Sequence, residues 1–138
     1  HVSPTLMRAL YQAKGGDGIC LITDATAAAG LEDGAVFQLA RVPCVVAGGV
    51  GMLADGSAIA GSTCRMIDGV KKLTELADVP LVEAVRMATV NPAQALRQPR
   101  NIGVLQPGYR ADFAIFSTGF RIRQTWVGGQ IVYEKWDE

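Results

Sequence analysis

A short apolar run that leads directly into a carboxylate is the feature that most limits what this sequence can fold into. Residues 19–22 read Ile-Cys-Leu-Ile, which is typical of a buried strand, and Thr23 and Asp24 follow at once. In parallel α/β folds, ligands and catalytic groups collect at the carboxyl ends of strands, so Asp24 is a candidate site residue. The competing interpretation is structural, with Thr23 and Asp24 forming an Asx turn or a helix cap.

Around this run the pattern alternates between helical and β-type segments. Ser3 followed by Pro4 predicts the N-cap and first turn of a helix that ends at a glycine pair, residues 15–16. Short β-type segments, punctuated by Gly48-Gly49 and Asp55-Gly56, are expected at residues 36–39, 44–46 and 50–53. The first half of the chain therefore indicates a helix, the candidate strand and then a β excursion.

The second half of the chain is predicted to form helices and then strands. Ser62-Thr63 is expected to cap a helix that continues to Ala77, and a second helix is expected over residues 81–88. Asn91-Pro92 is expected to cap a third, short helix. Strands are predicted at residues 111–116, 120–127 and 131–134, with a hairpin turn at the glycine pair 128–129.

Four large side chains in these segments are interpreted as packing residues. Met66 and Met87 fall on the apolar faces of the predicted helices, so we expect both in the core. Trp126 and Trp136 lie in the strand-rich tail, where packing is a more ordinary role than ligand binding.

Charge and composition exclude several classes of function. The 138 residues suffice for one ordinary domain, and 13 basic residues balance 13 acidic ones without a run of either sign. This balance argues against nucleic acid or an anionic membrane as a partner. No apolar run approaches the length of a membrane span, and the three cysteines lack metal-site spacing and fit reduced thiols. We therefore expect a cytoplasmic protein.

Four motifs, in this order, carry a resemblance to a known family. They are Thr-Asp-Ala-Thr-Ala-Ala-Ala-Gly at residues 23–30, Asp-Gly-x-x-Ile-Ala-Gly-Ser-Thr at 55–63, Arg-Met-Ala-Thr-Val-Asn-Pro-Ala at 86–93, and Ile-Gly-x-Leu-x-Pro-Gly-x-x-Ala-Asp at 102–112. The last motif resembles the metal-dependent amidohydrolase superfamily as a whole. Together the four resemble the carboxyl-terminal portion of the N-acetylglucosamine-6-phosphate deacetylase family. The sequence also begins with His1 in a loop-like context, so we expect a fragment.

The resemblance implies an α/β fold built from the end of a (β/α)8 amidohydrolase barrel and part of a small attached β-sandwich. Residues 1–100 would be the carboxyl-terminal segment of the barrel, with a β excursion at about residues 35–60. Residues 101–138 would supply strands of the sandwich.

The resemblance also implies a reaction and a set of site residues. In the family, a divalent metal, zinc or iron, activates water to attack the acetamide of a sugar phosphate, and an aspartate moves the proton to the departing amine. Asp24 matches that catalytic aspartate, and His1, Ile59, Ala60 and Gly61 match substrate-binding positions. The family's metal ligands, a glutamate and two histidines, have no counterpart in a chain with a single histidine. We expect this chain alone to bind no metal and to be inactive.

The sequence also leaves two alternative functions open, and it predicts that the chain self-associates. The chain could belong to another metal-dependent amidohydrolase, dihydroorotase-like or dipeptidase-like, or it could be a non-catalytic interaction module. With most of a barrel missing, strand edges and apolar helix faces would be exposed, which favours a homo-oligomer.

Overall fold

A computed structural model of the protein describes residues 2–97 and 101–136. These residues form two units, each with its own buried cluster. Ile22–Gly69 is termed the central unit, and the described residues before and after it are termed the flanking unit. The architecture is mixed α/β, as expected from the sequence.

The described residues contain four α-helices and two three-stranded antiparallel sheets. The helices are α1 (Pro4–Lys14), α2 (Met66–Leu76), α3 (Leu81–Ala88) and α4 (Val90–Ala95). One sheet is formed by β1 (Val36–Leu39), β2 (Val42–Ala47) and β3 (Val50–Leu53), and the other by β4 (Phe113–Phe116), β5 (Ile122–Val127) and β6 (Gln130–Glu134). No helix in the described ranges is long and apolar enough to cross a membrane.

Helix α1 begins and ends where the sequence predicts. The Leu6 amide donates to Ser3 Oγ at 3.3 Å, which satisfies one of the free amides of the first turn. Gly15 ends the helix with φ of +67°, and its amide donates to the carbonyl of Tyr11. Glycine adopts this positive φ without strain, and a glycine commonly follows the last turn of a helix.

The core of the flanking unit is formed by α2, α3 and the connection between them. Its buried members are Val70, Leu73, Ala77, Val79, Ala84 and Met87. Met87 is fully buried, which confirms its predicted core role. The same prediction is wrong for Met66, which is 38% exposed because it is the first residue of α2 and lies outside this cluster.

Asn91 has a different role from the helix cap predicted for it. Helix α4 starts at Val90, so Asn91 lies inside the helix, where it is 5% exposed. Its Nδ2 donates to the carbonyl oxygens of Gly16 and Ile19 at 2.7 and 2.6 Å. The side chain therefore holds the segment that follows α1, and it meets the requirement that a buried amide be hydrogen-bonded.

The predicted buried strand at residues 19–22 is wrong. The Leu21 amide donates to the carbonyl of Met87 at 2.8 Å, but the segment forms no strand ladder in the part of the chain that is described. Cys20 is exposed and Ile22 is 71% exposed. An isolated extended segment is not a strand until a neighbour pairs with it, and no neighbour is present among these residues.

The sheet of the central unit follows the predicted β excursion. Antiparallel pairing places Phe37 opposite Cys44, and both belong to a cluster with Ala28, Val46 and Ala60. Gly48 and Gly49, with φ of +59° and +72°, form the turn between β2 and β3. Both glycine amides donate to the carboxylate of Asp33, at 3.0 and 2.8 Å.

The sheet near the carboxyl terminus confirms the predicted hairpin. Gly128 and Gly129 have φ of +57° and +79° and join β5 to β6, as suits a two-residue hairpin turn. Phe113 stacks on Trp126 with ring centroids 5.3 Å apart, so Trp126 is a packing residue as predicted. Strand β6 is exposed along its whole length.

Candidate functional site

The candidate catalytic residue lies in a tight turn of the central unit. Asp24 is exposed and has φ of +51°, a left-handed conformation that aspartate tolerates better than most residues. The Ala25 amide donates to Thr23 Oγ1 at 3.2 Å, which closes the turn. The structural interpretation of Thr23 is thus correct, and it leaves the Asp24 side chain on the surface.

This turn is joined to the segment that was predicted to bind substrate. Ala25 and Ser62 form a parallel β-bridge. The Ser62 amide donates to the carbonyl of Asp24 at 3.3 Å, and the Thr26 amide donates to the carbonyl of Ser62 at 3.0 Å. The structure therefore pairs the backbone of Asp24 with that of Ser62, which directly follows residues 59–61, although 38 positions separate Asp24 from Ser62 in the sequence.

Strand β3 also contacts residues 59–61. The Ala60 amide donates to the carbonyl of Gly51 at 2.6 Å, and Ile59 forms an antiparallel bridge with Met52. A Cβ on Gly51 would lie 3.1 Å from the Ala60 carbonyl oxygen and 3.0 Å from Cζ of Phe37. Gly51 is therefore needed for the close approach of the two backbones.

The three residues of the predicted substrate-binding segment differ in exposure. Ile59 is 54% exposed, so its side chain is accessible to a ligand. Ala60 is 3% exposed and belongs to the core of the central unit, so its side chain is occupied by packing. Gly61 has φ of +95°, and a Cβ there would lie 2.2 Å from Cγ2 of Thr26. The small residues at positions 60 and 61 are thus already required by contacts within the chain.

Ser62 is not the helix cap that the sequence predicts. Helix α2 begins at Met66, and Ser62 Oγ accepts a hydrogen bond from the Cys64 amide at 2.9 Å. Thr63 Oγ1 donates to the carbonyl of Gly49. The Ser62 hydroxyl therefore stabilises a local turn, the Thr63 hydroxyl contacts the β2–β3 turn, and neither caps the helix.

One site prediction lies outside the described residues. His1 precedes the first of them, so its predicted contact with substrate stays a prediction.

Asp55 and Ser57 form a hydrogen-bonded turn in the central unit. Asp55 Oδ1 accepts hydrogen bonds from the backbone amide and the hydroxyl of Ser57, at 3.0 and 2.7 Å. The amide bond, followed by the hydroxyl bond, holds the pKa of the Asp55 carboxyl below its usual value. Asp55 has a structural explanation and is not a candidate site residue.

The described side chains do not fit a metal site. Over residues 2–97 and 101–136, no three histidine, cysteine, aspartate or glutamate side chains form a group that could hold a metal ion. All three cysteines are free thiols, and Cys44 is buried in the core of the central unit. A catalytic zinc-type site ordinarily needs three protein ligands, which this part of the chain does not bring together.

Sequence patterns alone did not identify two residues that shape the site. Thr26 and Gly51 both make close contacts with the segment at residues 59–61. Thr26 lies in the motif at residues 23–30 and Gly51 in a predicted strand, but neither was predicted to be a site residue. The pairing of Ala25 with Ser62 is the missing information, because it determines which residues Thr26 faces.

Comparisons with known proteins agree on one family. The sequence profile of the amidohydrolase family matches residues 1–132. A protein of Escherichia coli K12, provisionally named an N-acetylgalactosamine-6-phosphate deacetylase, is 37% identical over 131 residues, which is 95% of this chain and 77% of that protein. The N-acetylglucosamine-6-phosphate deacetylase of Vibrio furnissii is 34% identical over 97% of this chain, which corresponds to 33% of the relative.

Solved structures give the same result. A crystal structure of N-acetylglucosamine-6-phosphate deacetylase from Pasteurella multocida matches 95% of this chain with a TM-score of 0.85 and 31% identity. A Mycobacterium smegmatis variant of N-acetyl-D-glucosamine-6-phosphate deacetylase, in complex with N-acetyl-D-glucosamine-6-phosphate, matches 96% of it with a TM-score of 0.86 and 35% identity. A β-aspartyl dipeptidase from Fervidobacterium islandicum matches with a TM-score of 0.62 at 18% identity, a likeness of fold alone.

These matches also define how much of the relatives the chain represents. It spans 34% and 35% of the two deacetylase structures, so it corresponds to about a third of each. The profile match covers nearly the whole chain, and relatives of the same named activity appear in both comparisons. This chain is a member of the amidohydrolase family and corresponds to a partial region of its amino-sugar-phosphate deacetylases.

Proposed function

We propose that this chain supplies the acid–base carboxylate and part of the substrate-binding surface of an N-acetylglucosamine-6-phosphate deacetylase. The observation that supports the proposal is the backbone pairing of the Asp24 turn with Ser62, the residue that directly follows the predicted substrate-binding segment. The names of the relatives support the same reaction.

The reaction is the hydrolysis of an amide. The oxygen of water forms a bond to the acetamide carbonyl carbon, and the bond between that carbon and the sugar nitrogen breaks. The products are acetate and glucosamine 6-phosphate. Asp24 accepts a proton from the attacking water and donates it to the departing nitrogen, because an amine is a poor leaving group until it is protonated.

The substrate surface is proposed to combine the Ile59 side chain with the backbone of residues 60–61. Ile59 is more than half exposed, whereas the side chain of Ala60 is occupied by the core. Contacts from position 60 would therefore be made by main-chain groups. His1 is proposed as a further sugar ligand.

Enzymes of this family generally depend on a metal, and zinc or iron is proposed for the whole deacetylase. The described residues of this chain do not fit such a site, and the mechanism above assigns them only proton transfer and substrate contact. We propose that the chain is inactive without the remaining two-thirds of a typical relative.

Two sugar phosphates are candidate substrates. Relatives are named for deacetylation of N-acetylgalactosamine 6-phosphate as well as N-acetylglucosamine 6-phosphate, and the two sugars differ only in configuration at one ring carbon. We place N-acetylglucosamine 6-phosphate first because both deacetylase structures described above carry its name. Dihydroorotase-like or dipeptidase-like substrates rank lower, since the dipeptidase likeness is one of fold alone.

The proposed partner chain is a second copy, and the proposed location is the cytoplasm. Within residues 2–97 and 101–136, β6 pairs only with β5, and its Ile131, Val132 and Tyr133 are 45%, 61% and 45% exposed. An exposed apolar edge strand favours pairing with another chain. Light scattering over a range of concentrations tests whether this chain self-associates, and a monodisperse monomer throughout would contradict it.

A pure interaction role would show as partner binding with no deacetylase activity in a longer protein that contains this sequence.

The test of function is deacetylation of both sugar phosphates, with added zinc, iron(II) or manganese. The assay uses this chain and a version extended upstream from the same genome, each with and without Asp24→Asn. Asp78→Asn is the matched control, since Asp78 is another exposed aspartate with positive φ, at +57°, in the flanking unit. We expect activity in the extended protein, loss with Asp24→Asn and retention with Asp78→Asn. Equal activity of the two variants would refute the role of Asp24.

A further inference from the structure

The side chain of Thr26 packs directly against Gly61, in the segment that is joined to the Asp24 turn. A Cβ built on Gly61 would lie 2.2 Å from Thr26 Cγ2, 3.3 Å from Oγ1 and 3.4 Å from Cβ. The methyl group of Thr26 therefore occupies the space that any larger residue at position 61 would fill. Ordinary contacts between carbon atoms lie near 3.5–4.0 Å, so this space is already filled.

The backbone of Thr26 makes the second half of the same contact. Its amide donates to the carbonyl of Ser62 at 3.0 Å, while the Ser62 amide donates to the carbonyl of Asp24 at 3.3 Å. Two hydrogen bonds and one methyl group thus join the Asp24 turn to residues 61–62. The hydroxyl of Thr26 contributes less, because its contacts with the Ser62 carbonyl and the Ala28 amide are 3.5 and 3.4 Å long.

We propose that Thr26 is a positioning residue, and that its methyl group, packed against Gly61, sets the distance between the Asp24 carboxylate and the substrate-binding segment. This inference rests on the proposed function. Asp24 is an exposed residue of a short turn, which two main-chain hydrogen bonds join to Ser62. The methyl group of Thr26 adds a contact with residue 61, away from those two bonds.

Catalysis is sensitive to such a change because proton transfer requires a short, aligned path. Displacement of a reacting group by about 1 Å can reduce a rate about 100-fold. Removal of one methyl group from Thr26 leaves both main-chain bonds in place, so we expect a smaller loss, about tenfold in kcat. KM should change by less than about twofold, since Ile59 and the backbone of residues 60–61 remain.

The experiment compares Thr26→Ser and Thr26→Val in the extended deacetylase. Serine keeps the hydroxyl and loses the methyl group, whereas valine keeps a methyl group and loses the hydroxyl. We expect Thr26→Ser to lower kcat about tenfold and Thr26→Val to recover most of that loss. Thr74→Ser is the matched control, because Thr74 is a partly buried threonine of α2 in the flanking unit. Thr74→Ser should leave kcat unchanged.

Three results would overturn the proposal: a larger loss in Thr26→Val than in Thr26→Ser, equal losses in Thr26→Ser and Thr74→Ser, or a rise in KM with unchanged kcat. The thermal midpoint of each variant separates positioning from a general loss of stability. If the unsubstituted extended protein has no deacetylase activity, the proposed function fails first. Amide hydrogen exchange at Ser62 in this chain then tests the positioning role alone, with faster exchange expected in Thr26→Ser than in Thr26→Val.

Discussion

Substitution of Gly61 by alanine tests the packing of the candidate site without any assay of activity. Gly61 has φ of +95°, so a Cβ is strained at this position whatever the space around it. Backbone strain of this kind costs about 1–3 kcal/mol. The new Cβ would also overlap Thr26 Cγ2, 2.2 Å away, and overpacking costs about 1–3 kcal/mol more. We expect Gly61→Ala to lower the free energy of unfolding by about 2–6 kcal/mol.

A second substitution separates the two contributions. Thr26→Ser removes the methyl group that the alanine would strike but cannot relieve the backbone strain. In the double variant we therefore expect recovery of about 1–3 kcal/mol relative to the sum of the single changes. Urea denaturation of the four proteins in this cycle measures the coupling. If the two costs add to within about 0.5 kcal/mol, the methyl group and position 61 are not in contact, and the reasoning is refuted.

Three further predictions concern other residues. Asp24→Ala should be less stable than Asp24→Gly by about 1 kcal/mol in urea denaturation, because only glycine adopts φ of +51° without strain; equal stability would contradict this. Asn91→Ala should lower the free energy of unfolding by about 1–3 kcal/mol, since the carbonyls of Gly16 and Ile19 lose their donor, and an unchanged urea midpoint would contradict it. The Glu134 carboxyl should titrate below its ordinary pKa of 4.5 in an NMR experiment, because the side chains of Trp136 and then Gln124 donate hydrogen bonds to it. The stabilisation that results is present above pH 4.5 and is lost as the pH falls through the lowered pKa. Trp136→Phe should raise the pKa of Glu134, and an unchanged pKa would contradict this explanation.

The elements that sequence patterns predicted well are those defined by local chemistry. Helix α1 has its cap and its stop within the same short segment, and the glycine pairs at 48–49 and 128–129 form the turns expected of them. Positive φ at paired glycines and a serine before a proline are properties of a few neighbouring residues. No distant contact is needed to predict them.

The failures occur where a distant partner decides the role of a residue. Ser62 and Asn91 both fit a local capping pattern, but Asn91 binds carbonyls 72 and 75 positions away. Residues 19–22 have the composition of a buried strand and yet form no ladder among the described residues. Asp24 was a candidate because it follows an apolar run and matches a family motif, whereas its pairing with Ser62 became apparent only from the structure.

The bond between Asp33 and the Gly48–Gly49 turn has a consequence for folding. Asp33 precedes β1 and the turn follows β2, so the carboxylate reaches both glycine amides only when the two strands pair as observed. A slip of two residues would move the turn by about 6–7 Å along the strand, beyond hydrogen-bonding distance. The two hydrogen bonds to Asp33 therefore stabilise only the observed register of β1 and β2, because a chain with shifted strands cannot form them.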